Sequence, residues 1–256
     1  MSITAKTLNK YLKKLLTPEE FSDYGPNGLQ IEGALDIKKI AFAVSATKHS
    51  VEKAVLEKAD ALIVHHGLFW KFHGTRTLTG PFAKRVLPLV KNEINLFAYH
   101  LPLDANLEVG NAATVARKIG LENLVPFGDY KGSPTGVKGK FKTPQDPLQL
   151  KALLKTELNH DIIHSNPEEV TKISSMGIIT GGANGDWVKA LRAGLDSYLT
   201  GEISEHDWHE AKESEVHFFA GGHHATEQFG IQAVMEKIRE DHASLELFYI
   251  DSENPA

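Results

Sequence analysis

Short runs of continuous apolar residues, each followed by a helical pattern, occur twice along this chain and constrain its fold more than any other feature. Ile40–Val44 reads as a strand, with a helix after it from about Ser50 to Lys58. Ala61–Val64 is the next strand, then a helix from Phe82 to Lys91 and a strand from Asn95 to Tyr99. Strands without polar alternation need cover on both faces, and parallel β/α units supply it. After a Gly-, Pro- and Lys-rich stretch, Pro126 to Pro147, with a candidate strand at Gly136–Phe141 and a helix to about Glu157, the grammar returns. Strands Met176–Thr180, Ser197–Thr200 and Val216–Ala220 alternate with helices Asp186–Ala193 and His206–Glu213. Residues 58–65 align with 194–201, and 96–100 with 218–222, which points to an internal duplication. The expected fold class is therefore α/β, as two similar α/β domains. Their expected spans are 1–124 and 125–256, with the C-terminal strand a candidate to pack on the first.

Composition narrows the chemistry. The 256 residues include thirteen histidines and no cysteine. A disulfide scaffold, a thiolate zinc site, an iron–sulfur cluster and a cysteine nucleophile are excluded, so any transition metal must be held by nitrogen and oxygen. A net charge of -5 argues against a duplex-DNA binder, which normally carries a basic footprint. Lys131, Lys138, Lys140 and Lys142 either meet an anionic ligand or decorate a solvated hairpin. The segment Met1–Leu16 reads as an amphipathic helix rather than a signal peptide, and no apolar run reaches membrane-spanning length; a cytoplasmic location is expected.

The polar residues of interest sit where strands end, the place where parallel α/β sheets bind ligands. His65 and His66 follow the strand Ala61–Val64. Neighbouring strand residues point to opposite faces, so both rings share a site only if the chain leaves the strand at His66, which Gly67 permits. Otherwise one ring is buried and hydrogen-bonded and the other exposed. His100 and Asp104 flank Leu101-Pro102-Leu103; Pro102 disfavours helix at Leu101, so an extended corner is expected, with Asp104 a ligand or a loop carboxylate. His223 and Glu227 follow a double glycine at i, i+4 spacing, which puts them on one helix face as a metal-ligand pair or as a surface hydrogen bond. Three such strand ends together suggest a metal site in a cleft between the two halves.

These motifs, with Asp23-Tyr24-Gly25-Pro26-Asn27-Gly28-Leu29-Gln30 and Thr200-Gly201-Glu202, resemble the Ngg-one-interacting-factor-three-like family, also known as type 2 homologues of GTP cyclohydrolase I, over nearly the whole chain. The likeness is to its short bacterial members. It implies two α/β domains, a dinuclear metal site and a hexameric ring. Carried over by position, it makes His65, His66, Asp104, His223 and Glu227 the ligands, with Glu227 bridging. Asp104 and His66 complete one ion, and His65 and His223 the other. His100 stands beside them to orient a ligand or move protons. Glu202 is a further candidate for proton transfer, and His224 a weaker one for the site.

Two divalent ions held by imidazole and carboxylate suit zinc, manganese, iron or nickel, and their chemistry is hydrolytic. The function expected is a metal-dependent hydrolase of a nucleotide-like or other small phosphorylated or heterocyclic substrate. The competing functions are a non-catalytic metal-binding scaffold ring and a ring that passes single-stranded nucleic acid, against which the acidic net charge counts. Phe69, Trp70, Phe72 and His73 form either an aromatic wall for a base or pterin ring or a hydrophobic plug. Gly181-Gly182-Ala183-Asn184-Gly185 is either a phosphate turn or simply a tight one; it lacks the P-loop Lys-Ser/Thr.

Overall fold

The computed structural model describes residues 2–256 as a mixed α/β protein of two compact units. One contains the residues up to Leu103 together with Ile231–Glu253; the other contains Asp104–Gly230 and Asn254–Ala256. The division thus lies at Leu103/Asp104, whereas residue 125 falls within a long strand.

The elements of the first part of the chain are β1 (Ile3–Thr4), α1 (Ala5–Leu16), β2 (Gly28–Ile31), β3 (Asp36–Ile37), β4 (Lys39–Ser45), α2 (Lys48–Leu56), β5 (Ala61–His66), α3 (Gly80–Lys91), β6 (Asn95–Ala98) and α4 (Leu101–Ala105). Then come α5 (Asn111–Lys118), β7 (Leu121–Tyr130), β8 (Ser133–Gln145), α6 (Pro147–Leu158), β9 (Ile163–Ser165), β10 (Ile173–Ile178), α7 (Trp187–Arg192), β11 (Ser197–Thr200), α8 (Glu205–Glu213), β12 (His217–Ala220), α9 (His223–Asp241) and β13 (Glu246–Tyr249). The amphipathic segment read from Met1 is helical from Ala5, where Leu8, Leu12 and Leu16 bury one stripe; Met1 itself lies outside the described residues.

In the first unit the sheet order is β13-β4-β5-β6-β2, with all neighbours parallel except the antiparallel edge strand β2. In the second it is β7-β8-β10-β11-β12-β9, where β10, β11 and β12 are parallel and β7, β8 and β9 antiparallel. Each sheet thus has three central parallel strands followed by one antiparallel edge. The Gly/Pro/Lys-rich stretch forms much of the β7–β8 hairpin. Its strands run longer than the sequence suggested, because ladder pairing overrides the weak strand propensity of Gly and Lys.

Backbone detail supports the duplication. Asp60, just before β5, accepts the Lys38 and Lys39 amides on Oδ2 at 2.7 and 2.9 Å. Asp196, just before β11, accepts the Ser174 and Ser175 amides on Oδ2 at the same distances. Both carboxylates join the start of one central strand to its neighbour. The carbonyls of Asp60 and Asp196 also accept the first amides of the next strand, from Asn95 and His217, at 2.9 and 3.0 Å. Before each junction the helix ends in a left-handed residue: Lys58 and Glu93 in one unit, Gly194 and Glu215 in the other. The same four junctions in the same order are what a duplicated β/α unit leaves behind.

One corner differs from expectation. Leu101 is helical, because Pro102 falls in the first turn of α4, where its missing N–H is not needed. The Leu103 amide closes that turn on the His100 carbonyl at 2.8 Å. No described helix is long and apolar enough to cross a membrane.

Charge-assisted hydrogen bonds to paired amides contribute about 2 kcal/mol. Asp196→Ala and Asp60→Ala are therefore each expected to lower unfolding free energy by about that amount, while Asp36→Ala on the exposed edge changes it little. Urea titrations of the three variants check this.

Candidate metal centre

His65 and His66 lie at the carboxyl end of a central strand, Asp104 on the short helix α4 that follows β6, and His223 and Glu227 on the first turns of α9, which follows β12. In the first unit, β5 runs through His66, which pairs with Ser45 on β4, so the strand does not end before it as expected. The chain turns immediately afterwards at Gly67. At that terminal position the His65 and His66 rings still lie 4.4 Å apart, centroid to centroid. His100, following β6, is 5.1 Å from the His65 ring and 5.6 Å from that of His66. Each of the three offers a ring nitrogen within 4.8 Å of the others'. His65, His66 and His100 therefore form one cluster that could hold a metal ion.

The orientation of these rings follows from their partners. His65 is fully buried, and its Nδ1 lies 3.0 Å from the Tyr99 carbonyl oxygen. A carbonyl only accepts, so Nδ1 carries the proton and Nε2 carries the lone pair. His100 Nδ1 lies 2.7 Å from Asp23 Oδ1, which fixes the same tautomer. His66 Nδ1 meets Ser45 Oγ at 3.0 Å.

Asp23 is the residue that sequence reasoning quoted but gave no task. It is buried, and it accepts the Leu101 amide and the Asn27 side-chain amide on Oδ2 at 2.9 Å each. Burial works against its charge, but His100, Asn27 and the Tyr24 amide outweigh that and hold the carboxyl below the usual range. Asn27 Oδ1 accepts the His100 amide at 2.8 Å, so the segment 23–27 grips His100 at both backbone and ring. Gln30 completes the support: it donates to the Pro26 carbonyl and accepts the Leu68 amide just past the His pair.

In the second unit the donors are carboxylates around one imidazole. Asp104 is 5% exposed; its Oδ1 accepts from Asn111 Nδ2 at 2.9 Å and Thr180 Oγ1 at 3.0 Å. Asn111, itself fully buried, also accepts the Gly230 amide and so ties Asp104 to α9. Nothing in the sequence around Asn111 or Thr180 marked them. His223 and Glu227 do share one face of α9, with Nε2 3.2 Å from Oε2, and Glu227 is 2% exposed. On its other side, His223 Nδ1 lies 2.5 Å from Glu202 Oε1. Burial would depress the His223 imidazole, but Glu227 and Glu202 raise it to about 9. Glu202 therefore does for His223 what Asp23 does for His100. His224 is buried, and its backbone amide donates to the Ala256 carbonyl at 2.8 Å.

The glycine-rich segment 181–185 proves to be part of this environment. Gly181 has φ of 71°, and a Cβ there would overlap the Glu227 carboxylate. A Cβ on Gly182 would come within 3.3 Å of Glu202. The turn is glycine-rich because two carboxylates occupy the space, and α7 beyond it is only one and a half turns long.

The remaining histidines are structural or peripheral. His164 and His217, in β9 and β12, bond each other at 3.1 Å, and burial pushes His164 down to about 3. His242 packs edge-on against Tyr11, and His49 is exposed.

Gly181→Ala introduces both a disfavoured φ and an overlap with Glu227. It is expected to cost about 1–2 kcal/mol of stability. Gly185→Ala, four residues on and facing open space, is expected to be neutral. Thermal unfolding of the two variants makes the comparison.

Known proteins bear on the same chain. The family model described as Duf34/NIF3 (NGG1p interacting factor 3) matches residues 3–255. A protein of Pasteurella multocida named GTP cyclohydrolase 1 type 2 homolog is 40% identical over 254 residues, which cover 99% of this chain and 100% of that one. One of the same name from Vibrio cholerae is 38% identical over 252 residues, 97% and 98% of the two chains. Among solved structures, the protein ybgI, described as of unknown function, superposes with a TM-score of 0.91 at 35% identity, covering 99% of this chain and 100% of its own. A Thermus thermophilus protein, TTHA1606, does so at 0.89 and 29%, with the same coverage.

Proposed function

The chain belongs to the Duf34/NIF3 family, and from that premise we propose that it is a dinuclear metal-dependent hydrolase of a nucleotide-like or other small phosphorylated or heterocyclic substrate. The observation that carries this reading is shared by His65, His100 and His223. Each directs Nδ1 at a carbonyl or carboxylate oxygen, which orients the ring so that Nε2 is the nitrogen a metal would meet. Tying the far nitrogen of an imidazole to such an oxygen is how metal-ligating histidines are oriented and made more basic.

The donors fit divalent cations. His65, His66, Asp104, His223 and Glu227 would hold the ions. The two carboxylates that keep a proton on His223 set up the field a cation would exploit, and metal binding at such a site displaces that proton. All donors are nitrogen or oxygen, consistent with zinc, manganese, iron or nickel. When bound, a pair of such ions supplies Lewis acidity toward a scissile group and lowers the pKa of water. The chain's own contribution is positioning and proton transfer. His100, steadied by Asp23, accepts or delivers a proton at Nε2; Glu202 holds the His223 ring in place through Nδ1. The relatives' name, GTP cyclohydrolase 1 type 2 homolog, agrees with a nucleotide-like substrate.

Metal analysis by plasma mass spectrometry tests the centre. The purified protein is expected to carry up to two divalent ions per chain, and His65→Ala and Glu227→Ala to lose at least one of them. Full retention in both variants would overturn the ligand assignment. A screen of metal-loaded protein against nucleotides, phosphoesters and pterins tests the reaction. Turnover is expected to fall at least a hundredfold in His100→Ala, in line with the roughly 10²–10⁴-fold contribution of general acid–base groups. Metal-replete protein inert towards all three classes would count against the hydrolase.

A further inference from the structure

The two units offer an internal control for what their shared architecture requires. The connection from β11 to α8 takes only residues 201–204. The corresponding connection from β5 to α3 takes residues 67–79, broken only by a single turn at Lys71–His73. The fold therefore does not require this length, and irregular connections of this size in compact domains usually serve a function.

Its composition says which. Phe69, Trp70 and Phe82 with Lys71 and Arg76 line a cavity of about 280 Å³. That is close to the roughly 300 Å³ at which small-molecule pockets begin. Two cations and no carboxylate border the cavity, in a protein of net charge -5. Arg76 is set over the Phe82 ring at 3.9 Å, and one of its N–H groups donates to His73 Nδ1 at 3.1 Å, so its guanidinium is held flat with further donors to offer. Lys71 is moored by Nζ to the Asp23 carbonyl and by its amide to that of Tyr24. A Cβ on Gly25 would lie 2.5 Å from the Phe69 carbonyl oxygen, so the loop closes on the 23–30 segment in a way only glycine allows.

The aromatic residues do not form a plug. Phe72 is 68% exposed, yet its ring stacks on Trp70 at 5.6 Å and 18°. Trp70 in turn meets the His100 ring edge-on at 5.0 Å and stands 6.0 Å from that of His66. One indole is thus shared by the cavity and the histidine cluster.

We propose that this loop binds a planar aromatic heterocycle carrying a phosphate group, with the ring against Trp70 and the phosphate on Arg76 and Lys71. Stacking fixes the heterocycle beside His100, and a fork of guanidinium donors takes a phosphate as a lysine alone would not. The inference rests on the proposed function only for the ligand's being a substrate; binding itself is separately measurable.

The protein as isolated is titrated by calorimetry with AMP, GMP, CMP and UMP, with their nucleosides, and with inorganic phosphate. At least one nucleotide is expected to bind more tightly than its nucleoside or phosphate. Trp70→Leu should weaken the nucleotide and its nucleoside alike by about tenfold, as for loss of a base-stacking side chain. Arg76→Ala, an exposed change that leaves the fold intact, should weaken the nucleotide about tenfold and the nucleoside hardly at all. Both variants should keep the wild-type metal content. Absence of binding by every nucleotide, or affinities unchanged in both variants, would overturn the proposal. Nucleotide binding that persists after the metal is stripped by a chelator would uphold this site whether or not the metal assignment survives its own test.

Discussion

The chemistry available to this protein depends on which nitrogen of each imidazole is committed to the fold. A neutral ring has one donor nitrogen and one acceptor, and the neighbour on one side decides the role of the other. The Tyr99 carbonyl, Asp23 and Glu202 each accept a hydrogen bond from an Nδ1–H. These acceptors come from a strand end and a loop in the first unit and from the second residue past β11 in the second, so each unit orients its own imidazoles. Buried carboxylates complete the set, since Asp104 and Glu227 are held by hydrogen bonds and by shape rather than by exposure to water.

Duplication explains how such a set arises. The paired aspartates, Asp60 and Asp196, start equivalent strands in register, so the ends of those strands are matched as well. What differs is the residue type at the matched ends. The first unit places His65 and His66 where the second places Gly201 and Glu202, and imidazoles therefore dominate one set of donors while carboxylates dominate the other. The connections diverged too: the first unit carries the long aromatic and basic loop, and the second a short turn. Shared architecture with divergent ends yields complementary donors from one ancestral plan.

Much of this was legible in the sequence, and the exceptions have physical causes. The central strands could be read because burial on both faces leaves no polar alternation, and the i, i+4 spacing of His223 and Glu227 located their shared face directly. The edge strands β2 and β9 could not, since they are short and owe their conformation to the partner strand rather than to their own residues. The stretch that begins near residue 125 reads as a boundary because a hairpin whose second strand is rich in Gly, Pro and Lys looks like a linker until its ladder is seen. Leu101 was expected to be extended because proline's effect on the preceding residue was weighed without the tolerance of a first helical turn. Asp23 stands in a motif without a role, and Asn111 and Thr180 carry no local signal; what they do rests on contacts to His100, Gly230 and Asp104 that only the fold creates.

In the proposed function, metal is ligated through Nε2, not Nδ1, of His65 and His223. Anomalous-difference maps from crystals of the zinc-loaded protein address it most directly. Two peaks roughly 3.5–4 Å apart are expected, with Nε2 of His65 and Nε2 of His223 each about 2.0–2.1 Å from a peak and a Glu227 oxygen beside them. Peaks remote from these residues, or ligation through Nδ1 with the Tyr99 and Glu202 contacts broken, would contradict it.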